Sequence, residues 1–166
     1  MEQLAFRPAV PGDEELILQM IQELARYEEL EHQVVADCQT LHHWIFEKGG
    51  AQVLFAMVNG QEVGFALYFY NFSTFLGRCG LYLEDLYIRP AHRHKGYGRA
   101  LIGRLADQAV QQGLGRMEWW CHDPNTPAAG FYRSLGAKPM EEWITYRLQG
   151  DTLQAAAKAY KKTGQE

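Results

Sequence analysis

The chain of 166 residues has the length of one domain, and its 47% hydrophobic and 22% charged content excludes a disordered polypeptide. For a mass of 19.0 kDa, folding is expected to bury roughly 70% of the surface that the unfolded chain exposes. That is enough for a core without disulfides or metals. The net charge of −4 argues against general nucleic-acid binding, which needs a basic face, and suits a cationic substrate. We therefore expect a single domain over residues 1–166.

The cysteine and hydropathy patterns favour a reducing compartment and no membrane partner. Cys38, Cys79 and Cys121 are far apart and odd in number, which favours free buried thiols over disulfides or a zinc site. The N-terminus lacks the basic start and long apolar run of a signal peptide, and no apolar run approaches the ~18 residues of a membrane span. We expect a cytoplasmic protein without a metal cofactor.

Hydrophobic periodicity predicts helices and strands along the whole chain. Ile17, Met20, Ile21 and Leu24 have the spacing of one helix face, and Asn59-Gly60 between two apolar runs is typical of a tight hairpin. The predicted strands are 4–8, 52–58, 62–70, 80–88, 116–122 and 142–148, and the predicted helices are one starting at Gly12-Asp13 and those at 37–48, 98–112, 126–135 and 151–162.

The order of these elements predicts the fold class. Three consecutive strands form an antiparallel meander, and the later strand–helix–strand unit requires a parallel pair. We therefore expect an α+β fold with a mixed, mostly antiparallel sheet and helices on its faces. Such a fold by itself predicts no function.

A glycine-bearing segment, RHKGYGRAL, lies between a predicted strand and a predicted helix. The N-terminus of a helix has unpaired amide groups and the positive end of the dipole, and glycine lets the backbone approach an anion. Arg93 to Lys95 add donors in front of Gly96 and Gly98. The chain has no Walker loop, and Leu101 stands where a dinucleotide-binding pattern requires glycine or alanine. The segment predicts a pyrophosphate site, the alternative being an ordinary turn.

Several motifs together resemble the GNAT superfamily of acetyl-CoA-dependent N-acetyltransferases. The RxxGxG segment follows a strand that ends in Leu86-Tyr87-Ile88, as in that superfamily. Further motifs are similar to the spermidine/spermine (diamine) branch, which includes enzymes acting on thialysine. They are Arg7-Pro8-Ala9, Glu23-Leu24-Ala25-Arg26-Tyr27-Glu28, Leu81-Tyr82-Leu83-Glu84-Asp85, and Phe131-Tyr132 followed by Gly136-Ala137. The resemblance covers nearly the whole chain and implies a GNAT-like acyl-CoA N-acyltransferase fold with a splayed parallel strand pair.

The resemblance implies that acetyl-CoA is the cosubstrate. The pantetheine arm would pair with the backbone of Leu86 to Ile88, and the glycine segment would hold the pyrophosphate. Backbone N–H groups near Leu86 would stabilise the oxygen that becomes negative as the amine attacks. The implied cofactor-binding residues are Leu86, Tyr87, Ile88, Arg93, His94, Lys95, Gly96, Tyr97, Gly98, Arg99, Asn125, Thr126, Pro127 and Ala128.

Tyr132 and Glu84 match the proton-handling positions of the family. Tyr132 occupies the position of the family's general acid. A phenol with a pKa of about 10 is protonated at pH 7 and can donate to a departing thiolate. The alternative is a tyrosine that packs in the core. Glu84 matches the substrate-contacting glutamate and would hold the ammonium and take its proton, directly or through water. A solvent-facing strand residue is the alternative for Glu84. Asp85 is expected on the opposite face of the strand.

Acidic and aromatic residues are implied to bind the amine substrate. Carboxylates spaced along a cleft suit amines spaced along a methylene chain, and Trp120 would cover the methylenes or contact a cation. Near the C-terminus the spacing departs from the family pattern, so that Glu141 is chosen and Glu142 is equally defensible. The implied substrate-binding residues are Tyr27, Glu28, Glu84, Glu118, Trp119, Trp120 and Glu141.

The expected activity is transfer of acetyl from acetyl-CoA to a primary amine of a small polyamine, diamine or lysine-like acceptor such as thialysine. The resemblance implies direct attack in a ternary complex and a homodimer. One alternative is an N-acetyltransferase of proteins or peptides. Another, from a different class, is a non-catalytic acyl-CoA-binding sensor. The sequence does not fix the acceptor, because amines of several lengths share these acidic and aromatic positions.

Overall fold

The computed structural model describes residues 3–121 and 126–162, without the side chains of Thr126, Lys161 and Lys162. These residues form two compact units, one within Met1–Asn125 and the other within Thr126–Glu166. Among the helices of the described residues, none has both the length and the apolar character needed to cross a bilayer.

The first unit contains a five-stranded sheet in the order β1-β2-β3-β4-β5. Its first four strands are antiparallel neighbours, and β5 is parallel to β4, which confirms the predicted meander and parallel pair. The strands are β1 (Leu4–Pro8), β2 (Gln52–Val58), β3 (Gln61–Ser73), β4 (Arg78–Ile88) and β5 (Met117–Trp119). The helices are α1 (Glu14–Tyr27), α2 (Cys38–Leu41), which continues as a π-helix (His42–Glu47), and α3 (Tyr97–Gln111), with short 3-10 turns at Glu31–Gln33 and Pro90–His92.

The turn between β2 and β3 is the one that the Asn-Gly dipeptide predicts. Asn59 has φ of 51° and Gly60 φ of 82°, and two successive positive values are the requirement of a type I′ hairpin turn. The side-chain oxygen of Asn59 also accepts a hydrogen bond from the backbone N–H of Gln3 at 3.1 Å. The turn residue therefore holds the start of the chain beside the hairpin.

Helices cover both faces of the sheet, as expected. Ile17 and Met20 of α1 are completely buried and share one apolar cluster with Phe65 of β3. On the opposite face, Nε2 of Gln108 in α3 donates to the hydroxyl of Tyr68 at 3.1 Å. The central strands are therefore buried on both sides, which explains their nearly continuous apolar sequence.

Arg7 fastens β1 to the start of α1 and to β3. Its guanidinium donates to the two carboxylate oxygens of Asp13 at 2.7 and 2.9 Å and to Glu62 at 2.8 Å. Its carbon Cζ lies 4.8 Å from the centroid of the Phe55 ring. The hydrogen bonds from Arg7 hold the pKa of Asp13 below its ordinary value. The arginine of the Arg-Pro-Ala motif thus has a structural role.

Two predicted strands differ from the structure. The strand predicted over 116–122 is shortened to Met117–Trp119, and His122 lies outside the described residues. The strand predicted over 142–148 is wrong: residues 141–142 form a turn and 143–149 have no regular structure. A strand requires a neighbour for its backbone hydrogen bonds, and no described strand pairs with this segment although its apolar residues alternate.

The described residues of the second unit form two helices, α4 (Thr126–Ser134) and α5 (Gly150–Lys162). Gly136 has φ of 87°, and its N–H donates to the carbonyl of Arg133 at 2.9 Å. Such a left-handed glycine after the last turn is a common helix terminator, and it ends α4 where the sequence predicts.

The expectation of buried thiols is wrong for two of the three cysteines. Cys79 and Cys121 are exposed, and Cys38 is partly buried. Cys79 lies near the start of β4 and Cys121 follows the end of β5, so both are outside the buried part of the sheet. The odd number and wide spacing of the cysteines therefore do not predict that their side chains are buried.

Candidate active site

An irregularity in β4 places two carboxylates on the same side of the sheet. The pairing with β3 passes from Tyr68↔Leu83 directly to Leu67↔Asp85, so Glu84 is an extra residue, a β-bulge. Leu83 lies on the face that α3 covers, whereas Asp85 lies opposite Leu67, which packs against the α1 cluster. The expectation that Asp85 points away from Glu84 is wrong, because the bulge interrupts the two-residue alternation of the strand.

A cavity of about 420 Å³ lies between the C-terminal half of α1, the segment that follows it, and β4. Glu28, Glu84 and Asp85 contribute three carboxylates to its lining, and none of the lining residues in the described part of the chain is basic. The structure thus brings together two residues that the sequence assigned to the substrate, and it adds Asp85. The remaining lining residues are Ile21, Leu24, Ala25, Leu30, Gln33, Val34, Val35 and Ala36.

The surroundings of Asp85 change its protonation. Burial raises the pKa of Asp85 to about 7, and the negative charges of Glu84 and Glu28 act in the same direction. Asp85 is partly buried, while Glu84 is exposed. A carboxyl with such a pKa exchanges protons near neutral pH, which is the property of a general base. The position of Asp85 in the LYLED motif could have indicated that it belongs to the site. Regular strand alternation instead predicted that its side chain lies on the opposite face from Glu84.

The turn between β4 and α3 has the backbone of an anion site. His94 and Gly96 both have positive φ, of 61° and 85°. Gly96 is the N-cap of α3 and has no side chain to cap the first amide groups. A Cβ placed on Gly96 meets no atom within 4 Å, so the space beside the start of the helix is open. Within the turn, His94, Lys95 and Arg99 are exposed, Gly98 is partly buried and Tyr97 is buried.

None of the described strands pairs with the β5-facing edge of β4 beyond Leu83. Within residues 3–121, the β4–β5 ladder contains three pairs and ends at Leu83↔Trp119. Leu86, Tyr87 and Ile88 pair with β3 on their other edge. The Tyr87 side chain is in the core, where burial raises its pKa. The segment that the resemblance assigns to the pantetheine arm therefore has one backbone edge free of a described strand, as expected for a splayed pair.

The guanidinium of Arg93 lies against two aromatic rings. Its Cζ is 4.3 Å from the centroid of the Tyr27 ring and 5.5 Å from that of Tyr87, and its Nε donates to the carbonyl of Ile88 at 2.8 Å. Tyr27 is the last residue of α1 and precedes Glu28. Arg93 therefore connects the glycine turn to a residue predicted to bind the substrate. The sequence carries no sign of this contact, because the two residues are far apart in the chain.

We expect Arg93→Lys to lower the free energy of unfolding by about 1–2 kcal/mol. Lysine keeps the charge but loses the Nε hydrogen bond and the planar contact with both rings. Urea denaturation of the wild type, R93K, Tyr27→Leu and the double variant measures this. The double-mutant cycle should give a coupling of about 0.5–1 kcal/mol between Arg93 and Tyr27. Strictly additive effects would show that the ring contact is energetically irrelevant.

Glu118 of β5 is already paired with a cation. Its Oε2 lies 2.9 Å from Nε of Arg116, with which it forms an ion pair, and accepts a hydrogen bond from Nδ2 of Asn71 at 3.1 Å. These contacts satisfy part of its charge, so we expect Glu118 to bind an ammonium more weakly than the carboxylates of the cavity. Trp119, its neighbour, is partly buried.

Tyr82 lies in a row of aromatic rings near the bulge. Its ring stacks on Phe69 with centroids 5.0 Å apart and meets the Trp120 ring edge-on at 6.0 Å. Burial raises the pKa of Tyr82 to about 12, with smaller contributions from the charges of Glu84 and Glu118. Its hydroxyl is buried and has no hydrogen-bond partner among the described residues. Tyr82 belongs to the LYLED motif but is not among the site residues that the resemblance implies.

The remaining predicted residues belong to the second unit. Tyr132 is a partly buried residue of α4, and its ring centroid lies 5.4 Å from that of Phe131. Thr126 is the first residue of α4, followed by an exposed Pro127 and a partly buried Ala128. Asn125 lies outside the described residues. Glu141 and the equally defensible Glu142 form an exposed turn.

Comparison with known proteins identifies the family. The profile of the acetyltransferase (GNAT) family matches residues 17–137, most of the chain. This chain belongs to the GNAT acetyltransferase family. The match confirms the predicted resemblance and the fold class, and it shows that the protein is an acetyltransferase.

Individual relatives of this GNAT chain are acetyltransferases of small amines by name. Thialysine N-epsilon-acetyltransferase of Sus scrofa is 33% identical over 169 residues, which cover 95% of this chain and 99% of the relative. L-ornithine N5-acetyltransferase of Arabidopsis thaliana is 45% identical over 95 residues, 57% of this chain, and the match spans only 42% of that relative's length. Among solved structures, an integron cassette protein from the mobile metagenome of V. cholerae has a TM-score of 0.79 and 28% identity, covering 93% of this chain and 98% of that chain.

Proposed function

We propose that this GNAT enzyme acetylates a primary amine of a small polyamine, diamine or lysine-like acceptor such as thialysine, with acetyl-CoA as cosubstrate. The cavity lined by Glu28, Glu84 and Asp85 carries the proposal. An aliphatic amine has a pKa of about 10.4 and arrives as an ammonium ion. Three carboxylates, with no basic side chain among the described lining residues, favour that cation, and the apolar lining suits the methylene chain next to it.

The β4 edge and the glycine turn fit the cosubstrate. The free backbone edge at Leu86 to Ile88 suits the amide groups of the pantetheine arm. The open, positive-φ turn at Gly96 and the N-terminus of α3 suit a pyrophosphate, with Lys95 and His94 exposed beside it. We assign the stretch from Asn125 to Ala128 to a second contact with acetyl-CoA on the resemblance alone. When bound, acetyl-CoA supplies an activated acetyl group.

The side chains of the protein have three tasks in this reaction. Carboxylates of the cavity hold the ammonium and take one of its protons, since only a neutral amine attacks a thioester; the resemblance assigns this task to Glu84. Tyr132 donates a proton to the departing sulfur. Backbone N–H groups near Leu86 stabilise the oxygen that becomes negative during the attack. The further substrate contacts that we propose are Tyr27, Glu118, Trp119, Trp120 and Glu141.

The proposal includes direct transfer without an acyl-enzyme. Both compact units would act as one GNAT domain, in a cytoplasmic homodimer, as the resemblance implies. Burst kinetics with acetyl-CoA alone distinguish the two routes, because an acyl-enzyme releases free CoA before any amine is added. We expect no such burst.

An amine panel tests the proposed function. Purified protein is assayed with acetyl-CoA and spermidine, spermine, short diamines, thialysine, ornithine and a lysine-containing peptide, with products identified by mass spectrometry. We expect turnover of at least one small amine, and Glu28→Gln should raise its KM about tenfold while the KM for acetyl-CoA stays constant. Glu141→Gln and Glu142→Gln are assayed side by side, because either carboxylate of this exposed turn is an equally defensible substrate contact.

Two outcomes would contradict the proposal. Binding of acetyl-CoA without turnover of any amine would favour the non-catalytic sensor. Turnover of the peptide alone would favour a protein N-acetyltransferase.

A further inference from the structure

We infer that Asp85, rather than Glu84, accepts the proton from the ammonium of the acceptor. The inference rests on the proposed function, because it assigns a role within that reaction. The β-bulge turns Asp85 toward the α1 side of the sheet, and the side chain there lines the same cavity as Glu28 and Glu84. Strand alternation without the bulge would place Asp85 with Leu83, on the face that α3 covers.

The two neighbouring carboxyls differ in their exposure to water. Glu84, the unpaired residue of the bulge, is exposed, whereas Asp85 is paired opposite Leu67 and partly buried. An exposed carboxylate stays hydrated and suits the first contact with a cation. A partly desolvated carboxylate gains more from binding a proton. The geometry therefore divides cation binding and proton transfer between adjacent residues.

In residues 3–121 and 126–162, the charged groups that face Asp85 come from two elements. Glu84 precedes it on β4, and Glu28 is the C-cap of α1. The other cavity-lining residues of α1 and of the segment 30–36 are uncharged, as is Leu67 across the ladder. Burial and these two like charges raise the pKa of Asp85 to about 7. This pKa is much closer to that of an ammonium than the pKa of about 3.9 that an aspartate has in water, so proton transfer from the ammonium is less unfavourable.

The step balances with the reactants already proposed. A proton moves from the ammonium nitrogen to a carboxylate oxygen of Asp85, which becomes a neutral acid and leaves a lone pair on nitrogen. That lone pair forms the C–N bond to the acetyl carbon, the C–S bond breaks, and its electron pair leaves with sulfur. As the amide forms, the nitrogen loses its second proton to solvent. Tyr132 supplies a proton to sulfur and regains one from solvent. Asp85 releases its proton to water before the next turnover.

The dependence of kcat/KM on pH tests the assignment. The wild type, Asp85→Asn and Glu84→Gln are compared between about pH 5.5 and 9.5 with one amine from the panel. The wild type should lose activity toward acid with a midpoint near 7, the pKa of Asp85. D85N should lose this acidic limb and fall about 10²- to 10⁴-fold at neutral pH. E84Q should keep the limb but move it to lower pH, because one negative charge beside Asp85 is removed.

Glu28→Gln is a second variant that leaves Asp85 in place. It removes the other like charge that faces the carboxyl, so it should also shift the acidic limb to lower pH. The shift is read from the profile's shape, so it is visible even if Glu28→Gln weakens substrate binding. An unshifted limb in both E28Q and E84Q would overturn the inference.

Thermal unfolding gives a readout that does not depend on activity. The pKa of Asp85 is about 7 in the folded protein and 3.8 as the reference value, so the folded state binds more protons between these values. The contribution of Asp85 to stability therefore falls as pH rises through this range. Asparagine cannot titrate. D85N should match the wild-type Tm near pH 4 and exceed it by on the order of 5–10 °C at pH 8.

Failure of the inference is distinguishable from failure of the proposed function. A wild type without turnover on any amine contradicts the proposed function itself. An active wild type whose limb persists in D85N and disappears in E84Q assigns the proton to Glu84 and overturns the inference. A Tm difference that is equal at both pH values shows that Asp85 does not titrate in this range, and it also overturns the inference.

Discussion

Tyr132→Phe should lower kcat by about 10²-fold or more and leave the Kd for acetyl-CoA within about twofold. The substitution removes one hydroxyl and keeps the ring, which contacts Phe131 within α4. A phenol with a pKa of about 10 carries its proton at neutral pH and is proposed to donate it to the departing thiolate. Without that donor, the sulfur leaves as an unprotonated thiolate, which slows the chemical step but not the binding of acetyl-CoA.

Steady-state release of CoA measures kcat, and calorimetry measures the Kd. Tyr160→Phe is a matched control, because Tyr160 is an exposed tyrosine of α5, 55% accessible, with no proposed role. It should retain wild-type kcat. Turnover of the Tyr132 variant at the wild-type rate would remove this residue from the mechanism.

Gly64→Ala should lower the free energy of unfolding by about 3 kcal/mol. Gly64 lies on β3 opposite Ile88, and a Cβ at this position overlaps the backbone oxygen of Tyr87 and the side chain of Ile88. A backbone carbonyl cannot rotate away as a side chain does, so β3 and β4 have to separate. The same movement displaces the proposed pantetheine-binding edge, and acetyl-CoA affinity should fall in parallel.

Gly103→Ala provides the control for this change. Gly103 is an exposed residue inside α3, and a Cβ there meets nothing within 4 Å. Alanine favours a helix more than glycine does, so this variant should gain up to about 1 kcal/mol. Urea denaturation measures both variants. If Gly64→Ala were as stable as the wild type, the close approach of β3 to β4 would not be a constraint on folding.

Elements with a local signal were predicted well from the sequence. The periodicity that begins at Ile17 fixes the buried face of α1, and Asn59-Gly60 requires the turn that the hairpin adopts. The segment 142–148 has the alternation of a strand but needs a partner, and the pattern within a segment cannot show whether one exists. The shortening of β5 has the same origin, since its length depends on how far β4 remains beside it.

The candidate site was predicted in part. The resemblance assigned Glu28 and Glu84 to the substrate, and both line one cavity. Asp85 was placed on the wrong side, because a bulge arises from the register between two strands and leaves no mark in either one alone. The contact of Arg93 with Tyr27 was missed for a related reason, since it depends on where α1 ends relative to the glycine turn.

A strand residue normally pairs with its neighbouring strand and also presents its side chain to the surroundings of the sheet. The bulge releases Glu84 from the first of these two roles. Leu83 and Asp85 each have a partner on β3, so their replacement alters both the sheet and its surroundings. Glu84 has none, and its exposed side chain lines the cavity. We therefore expect exchange of this one amino acid to alter which acceptors are preferred at little cost to folding, and paralogues adapting to new amines to diverge there first.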